Sequence, residues 1–279
     1  MPDSWRPSLT LALLLATSAL HAEEMESSGL RLGSVAMDTP AVMHERLLPL
    51  TRYLGQALRR PVTLHLSPNM KSAVKALAER QVDIAYLTPV AYLDAHELGQ
   101  AQVVVKTVTQ GQSAFDLRIV VHKDSPIRQV RDLAGKRFAF GDQAALLQRA
   151  VVVHAGMPLE KLGFHAFVGH YDNIARAVVS GEFDAGILKD TTAKEWERKG
   201  LRVLHQSPPL PPYNIAVGPH LSAEEARAIQ KALIDLNPDY PPHRAALRAL
   251  DAEYDGFAAA TDAEYDVIRT LVAPFRGQH

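Results

Sequence analysis

Strand-like and helix-like segments alternate along most of this chain, and that alternation limits the fold more than any other feature of the sequence. It is the pattern of an α/β protein with largely parallel sheets. Leu30 to Val35 reads as a first strand. Thr39-Pro40 supplies an N-cap with proline at the first helical position. Met43, Leu47, Leu50, Leu54 and Leu58 follow at steps of three and four, one apolar face of a helix. Val62, Leu64 and Leu66 alternate as a half-buried strand, and Ser67-Pro68 is expected to start a helix whose Ala73, Val74, Leu77 and Ala78 face inward. Val82 to Leu87 is a short strand, Thr88-Pro89 opens a helix to about His96, and Val103 to Val108 closes the series.

A second series repeats the pattern. It has strands at Leu117 to Val121, Arg137 to Phe140, Phe164 to Val168, Phe183 to Leu188 and Leu201 to Leu204. The intervening helices are a short one ended by Gly135, then Ala144 to His154, Asn173 to Ser180 and Ala193 to Lys199. The proline-rich stretch from Ser207 to Pro212 is rigid and extended, and Tyr213 to Val217 is one more strand. The tail is expected to be helical, with capping boxes at Ser222-x-x-Glu225 and Thr261-x-x-Glu264 and a break from Asn237 to Pro242. Two such series joined by crossings predict two lobes around a cleft. One lobe is drawn from residues 23–112 and 213–279, the other from 113–212. Ligands of such sheets sit beyond the carboxyl ends of the strands, near helix N-termini.

Residues 1–22 read as a signal peptide. Arg6 is followed by the apolar run Leu9 to Ala19, too short for a bilayer, and Ala22 offers a small residue at the cut. The chain has no cysteine, so neither a lipid-anchor cysteine nor a disulfide is available. A free periplasmic monomer is expected. Lys and Arg number 30 against 31 Asp and Glu, which argues against a nucleic-acid binder, since that would need a basic excess. The histidines are scattered without HExxH or other tight ligand spacing, and no GxSxG, P-loop or GxGxxG occurs. No cofactor, metal or catalytic residue is predicted. Asp142, His170 and Asp172 form the one trio worth testing for catalysis on this scaffold.

A set of ordered segments carries a family resemblance. They are Leu30-Arg-Leu-Gly33, Leu54-Gly-Gln-Ala-Leu58, Arg60-Pro61-Val62, Val82 to Tyr92 (VDIAYLTPVAY), Val121 to Pro126 (VHKDSP), Asp132 to Phe140, Gly181 to Gly186 (GEFDAG) and Thr261 to Tyr265. In this order and spacing the chain resembles the phosphate/phosphite/phosphonate-type substrate-binding proteins of ABC transporters, which have the type II periplasmic-binding fold. The resemblance implies two lobes, each a mainly parallel sheet flanked by helices, closing over a small anionic or polar ligand for presentation to a membrane permease. The alternative is a periplasmic sensing protein that partners a membrane sensor kinase or cyclase.

The resemblance also implies site residues. The loop at Tyr86-Leu87-Thr88-Pro89 lines the cleft in the family. Thr88 offers a hydroxyl there or simply caps its helix, and Tyr86 lines the cleft or packs in the lobe core. After Phe140 the family carries a hydroxyl-rich turn that cradles the oxyanion. This chain has Gly141-Asp142-Gln143-Ala144-Ala145 instead, leaving the amides of Ala144 and Ala145 and the side chain of Gln143. In Val168-Gly169-His170-Tyr171-Asp172 the family's ligand-facing His aligns with Tyr171, a phenolic donor, and His170 falls one place earlier. These changes keep other oxyanions and organic acids beside phosphonate and phosphate as candidate ligands. Lys189 either balances ligand charge or is solvated, and Tyr213 either reaches the ligand from the hinge, with Asn214, or packs on the prolines. Met37 and Asp38, at the end of the first strand, are cleft positions in the family, although Asp38 also suits a capping role. Asp184 is a weaker candidate.

Overall fold

The computed structural model describes residues 29–34 and 38–276. The expected signal peptide and Met37 lie outside the described residues. The strands are β1 (Leu30–Ser34), β2 (Val62–Leu66), β3 (Ile84–Leu87), β4 (Gln102–Thr109), β5 (Leu117–His122), β6 (Arg137–Phe140), β7 (Phe164–Phe167), β8 (Ala185–Lys189), β9 (Leu201–Gln206), β10 (Asn214–Val217) and β11 (Tyr254–Ala259). The helices are α1 (Pro40–Ala57), α2 (Met70–Ala78), α3 (Pro89–Gly99), α4 (Leu146–His154), α5 (Tyr171–Val179), α6 (Asp190–Glu197), α7 (Ala223–Ile234), α8 (Pro241–Leu250) and α9 (Asp266–Arg276).

Two sheets result, in the orders β11-β4-β10-β3-β1-β2 and β7-β6-β8-β5-β9. In each, three strands run parallel, β1 with β2 and β3, and β6 with β7 and β8. Beside β3 lies the reversed β10, and beside β8 lies the reversed β5. Both reversed strands begin just after the chain has crossed from the other sheet, at 110–116 and 207–213. Apolar residues pack both faces of each sheet. Leu47, Leu50 and Leu54 of α1 meet Ile84, Val105 and Ile215 on one face of the first sheet. On its other face Leu93 of α3 and Ile268, Leu271 and Val272 of α9 join one cluster that continues into Ala150 and Val151 of α4. The last helix thus touches both halves of the molecule, and its Arg276 also pairs with Asp94 and Glu97 of α3.

The two sheets share a device at the starts of their parallel strands. Arg31 gives its backbone N–H and Nε to Asp83 Oδ2 at 2.7 and 3.1 Å, and its Nη2 to Oδ1 at 2.9 Å and to the Arg80 carbonyl at 2.8 Å. Arg137 repeats the pattern on Asp184 at 2.8, 3.2 and 2.9 Å, its Nη2 also reaching the Gly181 carbonyl at 2.9 Å. Bidentate guanidinium–carboxylate pairs are geometrically specific, so each fixes the register of a parallel pair. Asp184 therefore belongs to the end of the second sheet away from the expected ligand side.

Several sequence expectations need correction. Ser67-Pro68 does not open α2; Asn69 does, its side chain accepting from Ser72 N–H at 2.9 Å. The tail is not all helical, because β11 pairs antiparallel with β4. The Thr261 capping box is present but opens a 3-10 turn over Asp262–Tyr265 ahead of α9, whereas the Ser222 box opens α7 as expected. Thr39 sits at the N-cap of α1 without a side-chain capping bond.

Candidate functional site

The carboxyl ends of β1 and β3, and of β6, β7 and β8, are each followed by a helix start. Helix N-termini carry unpaired N–H groups and a partial positive charge. On the first sheet Thr88 caps α3 by accepting from Ala91 N–H at 3.2 Å, which leaves its own hydrogen to donate. Asp38 accepts from Thr39 N–H at 2.8 Å and pairs with Arg46 at 3.4 Å, a local capping arrangement.

A tyrosine cluster lies beside these ends. Tyr86, only 2% exposed, shares a 2.8 Å hydroxyl hydrogen bond with Tyr254 and stacks on Tyr213 with ring centroids 5.3 Å apart. Tyr86 thus has a place in the lobe core and in contact with the half-buried Tyr213 at once. Burial, then the phenols of Tyr254 and Tyr171, push the Tyr213 phenol well above its ordinary pKa. Burial likewise raises Tyr254 to about 12. Asn214 faces away from Tyr213 along the strand, is fully buried, and has neither amide atom hydrogen-bonded among the described residues.

On the second sheet two loops are stitched together by close backbone contact. Gly169 N–H donates to the Gly141 carbonyl at 3.1 Å, and Gly141 N–H donates to Gln148 Oε1 at 2.7 Å. A Cβ on Gly141 would lie 2.9 Å from the Gly169 carbonyl oxygen, so only glycine fits. Tyr171 is half-buried, and burial is the main cause that raises its pKa. The amides of Ala144 and Ala145 are both engaged inside the loop: Ala144 N–H donates to Asp142 Oδ1 at 2.7 Å and Ala145 N–H to the Asp142 carbonyl at 2.9 Å. Asp142 is thus folded onto its own loop, occupying a donor that the sequence reading leaves for a ligand. Gln143 is exposed, and its carbonyl accepts from Arg149 Nη2 at 2.9 Å.

His170 is exposed at the N-cap of α5 with no side-chain capping bond, and Asp172 accepts from Trp196 Nε1 at 2.9 Å, which ties it to α6. The trio Asp142, His170 and Asp172 makes no mutual hydrogen bond. Lys189 ends β8 and stands 3.8 Å from Glu253, the residue before Tyr254, so this ion pair links the second sheet to the first. The structure therefore links Tyr86 and Tyr213 to Lys189 through Tyr254 and Glu253, sets the 141–145 loop at the end of the strand beside that of Lys189, and turns Asp172 towards Trp196. Sequence reasoning missed Tyr254, Gln148, Arg149 and Glu253. Tyr254 was hidden by the missed strand, while Gln148 and Arg149 look like the ordinary polar side of a helix start. Among the described residues no group of three or more His, Asp or Glu could hold a metal, and no helix is long and apolar enough to cross a membrane. A cavity of about 360 Å³ lies at the opposite end of the second sheet, between Lys136, Ser180, Phe183 and Asp184. It meets the carbonyl end of α5, which is unfavourable for an anion.

Two three-stranded parallel units, each with a reversed fourth strand and a helix start at every parallel strand end, define a two-sheet binding-protein fold of the periplasmic kind. The family described as "ABC transporter, phosphonate, periplasmic substrate-binding protein" matches residues 32–265, and the chain belongs to it. Family membership places it in the periplasm, with a small ligand and a membrane permease as its partners. The phosphonates-binding periplasmic protein of Escherichia coli (strain K12) is 26% identical over 270 residues, covering 91% of this chain and 78% of that protein. Among solved structures, XAC2383 from Xanthomonas citri bound to chloride superimposes with a TM-score of 0.74 at 21% identity, covering 90% of this chain and 98% of that one. PhnD1 from Prochlorococcus marinus in complex with methylphosphonate gives 0.68 at 19% identity, covering 88% and 98%. At these identities the structural likeness speaks for the fold.

Proposed function

We propose that the protein captures a small anionic ligand between two lobes, residues 23–112 with 213–279 and residues 113–212, and delivers it to its permease without chemical change. The ligand class is a phosphonate or phosphate, or a related oxyanion or organic acid. The single observation that carries this reading is the Lys189–Glu253 ion pair at 3.8 Å, which sets a helix start of the second sheet against the Tyr254–Tyr86–Tyr213 cluster of the first. The relatives are binding proteins, which supports a role without catalysis. Thr88, Gln143, Tyr171, Lys189 and Tyr213 are the proposed contacts, with Tyr86 behind Tyr213 and His170 and Asp172 at the rim. The Ala144 and Ala145 amides join once a ligand displaces Asp142. Export is proposed to proceed through cleavage after Ala22.

The test is thermal unfolding of residues 23–279 with phosphate, phosphite, methylphosphonate, methanesulfonate and small carboxylates. A ligand that binds only the folded state adds about 2.7 kcal/mol at a hundredfold excess over its Kd. One compound is expected to raise Tm, with native mass spectrometry showing a single bound copy. A flat response across the panel contradicts the proposal.

A further inference from the structure

Several cations at the ligand end of the two sheets are neutralised. Arg46 pairs with Asp38, Lys189 with Glu253, Lys106 with Glu264 and Arg118 with Asp116. Arg149 is not. It lies in the first turns of α4, where a helical side chain leans back towards the N-terminus. The structure shows that lean: Nη2 reaches back to the Gln143 carbonyl, and the guanidinium lies over the Phe167 ring, 5.8 Å from its centroid. Phe167 is the last residue of β7, so the charge stands at the ligand end of the second sheet. Among the described residues no carboxylate pairs with Arg149, and its Nε is buried without a hydrogen-bond partner. An unsatisfied buried donor on a charged group is costly and calls for an explanation.

The neighbouring loop sharpens the point. Its Ala144 and Ala145 amides and the Gly141 amide are all spent on Asp142 and Gln148. An anion reaching that loop must first displace the Asp142 carboxylate, whereas the guanidinium can be met without breaking an ion pair. A guanidinium edge offers two parallel donors, which matches the geometry of a phosphorus, sulfur or carboxylate oxyanion.

We propose that Arg149 is the charge-selecting residue of the site, its guanidinium turning to meet the anionic group of the ligand. This rests on the binding function proposed above. The test is calorimetry with methylphosphonate, above its second ionisation, and with its monomethyl ester, which carries one charge less. Arg149→Gln is expected to weaken methylphosphonate binding about tenfold or more, as for loss of a charge-assisted hydrogen bond. It should weaken the ester less. Arg149→Lys should recover part of the loss. Arg202→Gln, whose Nε is likewise buried without a partner but whose guanidinium bonds the Ser125 and Ile127 carbonyls at the far end of the second sheet, should bind as the wild type does. If R149Q fails to fold, R149K carries the test through its loss of the planar fork. Wild-type affinity in R149Q overturns the proposal, and so does an equal loss for both probes, which would make Arg149 a loop-positioning residue only. Failure of the wild type to bind either probe or any compound of the panel instead overturns the binding function itself, and this proposal with it.

Discussion

Tyr171 and His170 are adjacent, yet the structure gives them different surroundings. Tyr171 begins α5 and is half-buried against the apolar core of the second sheet, while His170 is exposed with no capping bond. A phenolic hydrogen bond contributes about 1 kcal/mol net, so Tyr171→Phe should weaken ligand binding roughly fivefold. His170→Ala should change it less, and the reverse order in calorimetry would mean that the imidazole, not the phenol, faces the ligand. At this scale the positions of Thr88, Tyr171 and Lys189 were legible because each stands where a strand pattern gives way to the next element, and that of Tyr213 because a strand begins there after the prolines. Their bonding was not. That Asp142 would turn onto Ala144 depends on the backbone path of a five-residue loop. That Lys189 would meet Glu253 depends on how two sheets distant in sequence come together.

Among elements, the parallel strands and the helices behind them follow directly from apolar period, since a buried strand and an amphipathic helix each leave a regular spacing. The strand β11 did not show. Tyr254-Asp-Gly-Phe-Ala-Ala lacks β-branched residues, and its pairing with β4 is a tertiary effect that overrides weak propensity. The paired arginine clamps were equally invisible, because Arg31 and Asp83 meet only through register. They make a prediction. The Asp83 side chain is 8% exposed and also bonds His220 at 2.7 Å, whereas that of Asp184 is 31% exposed with Arg137 alone as its cationic partner. Asp83→Asn should therefore cost about 1.5–3 kcal/mol in denaturant unfolding, and Asp184→Asn less. Burial raises the Asp83 pKa, but the bonds from Arg31 and His220 outweigh it and lower it overall; the Arg137 bond lowers that of Asp184. A depressed carboxyl stabilises the fold fully above its unfolded pKa of about 3.9 and loses that contribution as pH falls through the folded value. Acid unfolding of the wild type should therefore steepen below about pH 4, and do so less in Asp83→Asn.

Across the whole molecule, two similar sheets face a shared region, and α9 ties them by packing its apolar side with α4 while Arg276 holds α3. Helices α3 and α4 both begin on the ligand side, so one element steadies both walls of the proposed site. The alternation of the sequence, read as two series, was enough to anticipate this arrangement, although not the bridging course of the last helix. The proposed function requires that a small anion be held between the two sheets. The most direct measurement is difference density in crystals of residues 23–279 grown with the panel compound that raises Tm most. One ligand is expected in contact with Thr88, Tyr171 and Tyr213, its anionic group turned to Arg149. Density confined to the cavity beside Lys136 and Phe183, or to one sheet alone, would contradict it.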